Sequence, residues 1–366
     1  VTMNISDGAK IGTWGTSYVE GNVFGGGRGF GGDAYTAGNV AGSVTLNITG
    51  GTMLGSVYGG GRLGSVGYGL FSKDEVGYGT MRADNVTEDG FTPPGGLTKG
   101  RGHVTVNISG DNTVIGNKYE YQNVPTDVAD LDTWKTANHV PQTAYETTTK
   151  TVDATTQYIH RLKHTRGGNV FAGGMGRYTQ LDGTPISTYN AETGALTSPI
   201  EWKKLGNVKS TKLTISGNPW IMGNVYGGGE FGAVQGSHQR YDGETALFDA
   251  SDNHVVASTE ILFTGGTIGT EITTADPQKE TVETTDTRST VQYTFGSIYG
   301  GGMGLETPDA TGSHGGNVKD STYISMSKPG ESVSLVRASV YGGGEMAIVE
   351  GNTRVNISGG EIGRNE

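Results

Sequence analysis

Seven short stretches of the chain alternate apolar and polar residues. They read VTMNISDG from Val1, VTLNITGG from Val44, VTVNISG from Val104, TKLTISG from Thr211, EILFTGG from Glu260, TYISMS from Thr322 and TRVNISGG from Thr353. A period of two sends successive side chains to opposite faces, so each stretch predicts a β-strand with one buried face. The predicted core face carries Met3 and Ile5, Leu46 and Ile48, Val106 and Ile108, Leu213 and Ile215, Ile261 and Phe263, Ile324 and Met326, and Val355 and Ile357. The opposite face carries Asn4, Asn47, Asn107, Thr214, Leu262, Ser325 and Asn356. A slip of one residue would drive asparagine into the core, which fixes the register.

Six of the seven stretches close on glycine, and an apolar residue followed by glycine comes next in most copies: Ile11-Gly12, Leu54-Gly55, Ile115-Gly116, Met222-Gly223, Ile268-Gly269 and Ile362-Gly363. A second string then recurs. It reads GNVFGGG from Gly21, GSVYGGG from Gly55, GNVFAGG from Gly168, GNVYGGG from Gly223, GSIYGGG from Gly296 and ASVYGGG from Ala338. A weaker segment leads back to the next unit, as GNVAGS from Gly38, GNVKS from Gly206, GNVKD from Gly316 and MAIVEGN from Met346. One unit therefore holds about three short strands separated by glycine corners, where positive φ and the absence of Cβ let the chain bend. The shortest full period, Gly21 to Gly55, is 34 residues.

Like strings stacked on like strings predict an all-β fold, a single-stranded parallel β-helix (β-solenoid) of about six to seven coils over residues 1–366. The crossover rule favours a right-handed coil. Long insertions interrupt it at about 62–100, 117–167, 175–205, 230–258, 270–295 and 303–315, with a shorter one at 13–20. Several of them read as β-hairpins, and 117–167 is long enough for a small subdomain. Insertions attached at fixed corners emerge along fixed edges of a solenoid. The chain opens and closes inside repeats without a polar cap, which reads as a segment of a longer protein.

Composition changes this picture little. Glycine supplies 65 of 366 residues, more than twice the usual share of about 7%. Without a Gly-X-Y period and with 10 prolines, collagen is excluded. The net charge of −11, with no lysine and arginine cluster, argues against nucleic acid as a partner. No apolar run is long enough for a membrane-spanning helix. The lack of cysteine removes thiol catalysis and cysteine zinc sites.

Candidate chemistry is sparse. The glycine strings lack the Gly-Lys-Ser/Thr of a phosphate loop. No aspartate recurs at a fixed offset, as a calcium-binding glycine repeat needs. An isolated calcium in the acidic loop with Asp127, Asp130 and Asp132 is the remaining metal reading, and no other cofactor is expected. His160 and His164 are four apart but lack the HExxH context of a zinc site. Glu230 and Glu345 occupy equivalent places after the glycine run, about two coils and ~10 Å apart, which is wide for a retaining glycosidase pair. No catalytic residue is assigned. Asn4, Asn47, Asn107 and Asn356, with Asn22, Asn169 and Asn224, predict side-chain amide ladders. The aromatic column Phe24, Tyr58, Phe171, Tyr226, Tyr299 and Tyr341 leaves two readings open, since both members of each Val-Tyr pair are apolar. Facing inward it is a core stack. Facing outward it is a stripe of ligand-binding residues for sugar rings or a partner protein.

The strings G-N-V-Y-G-G-G and V-T-x-N-I-S-G-G-x-I-G resemble the glycine-rich repeats of very large surface or secreted proteins of Bacteroidota. More distantly they are similar to filamentous-haemagglutinin-type β-helical adhesins. The resemblance covers the repeat strands and none of the insertions, and it weakens at Leu262-Phe263 and in the KPGESVSLVRA stretch from Lys328. It implies an elongated structure at a bacterial surface or outside the cell, and supplies no catalytic residues.

The expected function is a structural or adhesive solenoid whose loops meet glycans, a host surface or neighbouring subunits and coils. The alternatives are a polysaccharide lyase or glycoside hydrolase, with its groove built by insertions, and a self-assembling filament.

Overall fold

Every alternating stretch forms a strand, and the seven strands pair in parallel in chain order: Thr2–Ile5, Val44–Ile48, His103–Ile108, Ser210–Ile215, Thr259–Phe263, Thr322–Met326 and Thr353–Ile357. They define coils 1 to 7. The structure, a computed structural model, describes residues 1–12, 21–29, 37–67, 102–116, 145–152, 155–162, 168–176, 205–236, 238–239, 241–242, 245–246, 256–270, 296–305 and 314–363.

A second parallel sheet stacks Lys10–Ile11, Gly51–Met53, Thr113–Ile115, Trp220–Ile221, Gly266–Ile268, Ser334–Val336 and Glu361–Ile362. A third stacks Val23–Phe24, Val57–Tyr58, Val170–Phe171, Val225–Tyr226, Ile298–Tyr299 and Val340–Tyr341. The fold is an all-β parallel β-solenoid. Each coil carries the expected three short strands, and a fourth side is closed without a strand. Val40, Val66, Val208, Val234, Val318 and Val349 form a fourth column, joined by parallel bridges and by a backbone bond from Val66 N–H to the Asn207 carbonyl. Residues 62–67 and 230–236, at the head of two expected insertions, thus belong to the coil.

The core is the stack of inward residues from the four sides. The predicted pairs of the first sheet are buried from Ile5 through Met326, but Val355 and Ile357, also predicted to be core, are 40% and 47% exposed because no described strand stacks beyond theirs. Val23, Val57, Val170, Val225 and Ile298 enter from the third side, and Val66, Val208, Val234 and Val318 from the fourth. In the second sheet Ile11 pairs with Met53, and Ile221 with both Ile115 and Ile268. Met53 and Ile221 therefore share the inward column with Ile11 and Ile115. The apolar-glycine string marks the corner, and in coils 2 and 4 an apolar residue also occupies the corner itself. The KPGESVSLVRA stretch stays in register, with Val336 paired to Ile268.

The glycine runs owe their composition to close approach. Gly25, Gly26 and Gly27 are absent from the positive-φ glycines. A Cβ on Gly26 would come within 2.7 Å of the Gly61 nitrogen in the next coil, and one on Gly228 within 2.8 Å of the Gly302 nitrogen. Backbone stacks on backbone here, with no room for a side chain between coils.

Candidate functional site

The third side carries most of the aromatic chemistry. Its valines and isoleucine point into the core, so the neighbouring aromatics point the other way. Phe24, Tyr58, Phe171, Tyr226, Tyr299 and Tyr341 form one continuous stack, with centroids 4.6–5.0 Å apart and planes within 11° of parallel. Tyr58, Phe171 and Tyr226 are buried with Met175 in a second apolar cluster, separate from the main core. Phe24 and Tyr299 are half-buried, and Tyr341 is 47% exposed. The six candidate ligand-binding residues are thus brought together, but largely against one another.

Two carboxylates close on this stack. The Tyr58 hydroxyl donates to Glu230 Oε2 at 2.6 Å, and the Tyr226 hydroxyl donates to Glu345 Oε2 at 2.6 Å. Asn224 Nδ2 donates to the Tyr226 hydroxyl at 3.2 Å. Glu230 is 2% exposed. The two glutamates considered as a hydrolytic pair are each engaged by a tyrosine of the stack. Burial, followed by the neighbouring Glu345, holds the Tyr226 phenol well above its ordinary range. The same causes, in the same order, push Tyr299 up to about 12.

The asparagines play two parts. Asn47 Nδ2 donates to Asn4 Oδ1, and Asn107 Nδ2 to Asn47 Oδ1, both at 2.8 Å, so the amide ladder forms on the first sheet. In the third and fourth sides the asparagine before each valine instead accepts backbone N–H from the next coil. Asn22 Oδ1 accepts from Ser56 N–H, Asn169 from Asn224 N–H, and Asn224 from both Gly296 and Ser297. Asn39 accepts from Ser65, and Asn207 from Ala233. Serine substitutes in the same role: Ser56 Oγ accepts from Asn169 N–H, and Ser65 Oγ from Asn207 N–H. This bond explains the Asn or Ser of the Gly-Asn/Ser-Val string.

The insertions obey a two-coil rule. In coils 1, 3 and 5 the chain leaves between the second and third sheets, at 13–20, 117–167 and 270–295, and again between the third and fourth sides, at 30–37, 177–205 and 305–315. Coils 2, 4 and 6 cross both corners directly. Coils 2 and 4 instead release the chain after the fourth column, at 68–101 and 237–257, whereas coils 1, 3 and 5 pass directly there. No two neighbouring coils open the same corner.

Each neck between the second and third sheets is closed by a glycine pair with positive φ: Gly12 and Gly21 at 100° and 78°, Gly116 and Gly168 at 116° and 84°, Gly269 and Gly296 at 104° and 118°. A Cβ on Gly12 would lie 2.6 Å from Gly21 Cα. Both glycines rest on Leu54 of the next coil, as Gly116 and Gly168 rest on Met222. Within the insertion 117–167, Tyr145–Val152 pairs antiparallel with Thr155–Leu162, one of the expected hairpins. The acidic loop with Asp127, Asp130 and Asp132 lies outside the described residues.

Among the described residues no group of three or more His, Asp or Glu side chains is placed to hold a metal, and no helix is long and apolar enough to cross a membrane. No protein-family model, curated protein or solved structure matches the chain.

Proposed function

We propose that the chain is a structural or adhesive solenoid of a bacterial surface or extracellular protein, whose coils hold insertions in fixed files for contact with glycans, a host surface or other subunits. One observation carries this reading: the three insertions between the second and third sheets leave through closed glycine necks while the strands on either side of each neck stay paired with the next coil. Joined at their necks, the odd coils read Ile11-Gly12-Gly21-Asn22-Val23 and Ile115-Gly116-Gly168-Asn169-Val170. These match Met53-Leu54-Gly55-Ser56-Val57 and Ile221-Met222-Gly223-Asn224-Val225 in length and in the side of each residue. The coil is complete without the insertion, so the insertions are free to carry recognition.

The reading is tested by deleting 13–20 and 117–167 together, joining each glycine pair. The shortened chain should keep its β-sheet circular dichroism and unfold at a similar temperature. Binding to host-cell surfaces, arrayed glycans or full-length partner chains should fall to background. A chain that loses its fold on deletion, or keeps all binding, would overturn the display role.

A further inference from the structure

The aromatic file carries more chemistry than packing asks for. Phe24 and Phe171 occupy the same places as the tyrosines and stack as closely. The stack itself therefore has no need of hydroxyl groups. Phenols and thioethers give up one electron readily, whereas a phenylalanine ring does not. The residue after the glycine run is Arg28 in coil 1 and Arg62 in coil 2, then alternates as Met175, Glu230, Met303 and Glu345 in coils 3 to 6. Met175 is buried among the rings, and Met303 packs against them. Polarizable sulfur thus lines the phenols, with a carboxylate in every second coil.

These groups converge on Tyr226. Tyr299 stacks on it and Tyr341 stacks on Tyr299, with centroids 5.0 Å apart at both steps. Tyr341 is 47% exposed and Tyr226 is 2% exposed. Three stacked phenols therefore lead from solvent to a ring that solvent does not reach. The Tyr226 hydroxyl donates to Glu345 Oε2 at 2.6 Å, within the range for direct proton transfer. Glu345 is exposed, so a proton it receives passes on to water. The Tyr58–Glu230 bond is as short, but both residues are buried and the proton would stay within the pair. Tyr299 has the Ser297 hydroxyl as its hydrogen-bonding neighbour, which is no base at neutral pH.

We propose that Tyr226 is a redox site. A one-electron oxidant in solution, such as a peroxyl radical or a high-potential metal complex, draws an electron through Tyr341 and Tyr299, and Tyr226 ends as a neutral phenoxyl radical. The oxidant gains one electron. Tyr226 loses that electron and its phenolic proton, and the proton goes to Glu345 Oε2. Only the O–H bond breaks, one O–H bond forms, and Glu345 becomes a neutral carboxylic acid. Burial first, then Glu345, holds the phenol well above its ordinary range. No phenolate is present ahead of oxidation at neutral pH, so proton and electron leave together. The buried ring is kept from coupling with a second radical, and the phenoxyl persists. The site lies in the coil and is independent of what the insertions display.

The test uses the full chain and tris(bipyridine)ruthenium(III), generated by a laser flash with a sacrificial acceptor. Transient absorption and freeze-quench electron paramagnetic resonance follow the phenoxyl radical. Wild type should give a radical that outlives those of Tyr226→Phe and Glu345→Gln at least tenfold, and that forms more slowly in heavy water. Glu345→Gln keeps an acceptor for the phenol and leaves the rings in place, so its β-sheet circular dichroism should match wild type. Loss of the long-lived radical in that variant then reports the missing base rather than a lost fold. Tyr341→Phe should slow formation and leave the lifetime unchanged. A wild-type radical that decays as fast as that of Glu345→Gln would overturn the proposal. So would a long-lived radical in Tyr226→Phe, or formation in Tyr341→Phe as fast as in wild type.

Discussion

Tyr58 and Glu230 are 172 residues apart in sequence and joined by a buried 2.6 Å hydrogen bond. The glutamate belongs to coil 4 and the tyrosine to coil 2. Phe171, in the intervening coil 3, stacks on Tyr58 and has no hydroxyl to intercept the bond. Tyr226 and Glu345 repeat the arrangement from coil 4 to coil 6. The two-coil unit defined by the insertion necks is thus written into side-chain chemistry as well. Tyr58→Phe leaves a buried carboxylate short of a donor. Hydrogen bonds to charged groups contribute about 1.5–3 kcal/mol, so a fall of that order in unfolding free energy is expected. Tyr226→Phe, at a less buried pair, should cost less. A double-mutant cycle with Glu230→Gln isolates the coupling. An unchanged denaturation midpoint in Tyr58→Phe would rule out a stabilising clasp.

The same stack makes the protein sensitive to alkali. Tyr299 is pushed up to about 12 from an ordinary 10.0, and Tyr226 is raised further, in both cases chiefly by burial. A raised phenol value means that the folded chain holds its proton more tightly than the unfolded one. The stabilisation is fully present below pH about 10, is lost as the pH climbs through about 12, and Tyr226 extends the loss higher. Tyrosinate absorbance should keep rising above pH about 10, with the part from Tyr226 and Tyr299 appearing in step with loss of β-sheet circular dichroism. Ionisation of all tyrosines near pH 10 with the fold intact would contradict the stack.

Much of the coil was legible because its signals are local. Leu46, Ile48 and Asn47 alternate within five residues, and pairing of like strings aligned them without further information. The fourth column was only partly legible. Val40 and Val208 follow Gly-Asn, whereas Val66 sits in Gly-Ser-Val-Gly and Val234 in Gly-Ala-Val-Gln. The repeated signal there is distance from the aromatic residue: eight residues separate Tyr58 from Val66, Tyr226 from Val234 and Tyr341 from Val349. The direction of Tyr58 was not legible, because Val57 and Tyr58 are both apolar and either would bury well. The Glu230 contact was hidden for a different reason. It skips a coil, and a search between adjacent repeats passes over it.

Asn224 tests the bond that builds the Gly-Asn/Ser-Val string. Its Oδ1 accepts from both Gly296 and Ser297 N–H at 2.9 Å in a buried setting. Asn224→Ala strands both donors, each costing about 1–3 kcal/mol when buried without a partner. A loss of several kcal/mol is expected in thermal or denaturant unfolding. Asn224→Ser should recover part of it, since Ser56 fills this role in coil 2. Equal losses in the two variants would show that side-chain volume, not the acceptor, sets the preference.

The glycine run separates crowding from backbone freedom. Gly228 and Gly343 are the same position of the string in coils 4 and 6, and neither is a positive-φ glycine. A Cβ on Gly228 would meet the Gly302 backbone at 2.8 Å, whereas one on Gly343 meets nothing within 4 Å. Overpacking a filled site costs about 1–3 kcal/mol, and backbone against backbone leaves little room to relax. Gly228→Ala should lower stability by at least that much. Gly343→Ala should be neutral or slightly stabilising, because alanine restricts the unfolded chain. Thermal unfolding of the two variants beside wild type decides it. Equal destabilisation would point to a conformational demand of the string itself. A neutral Gly228→Ala would mean that the coils can part at this side, and that the glycine run is not what sets their spacing.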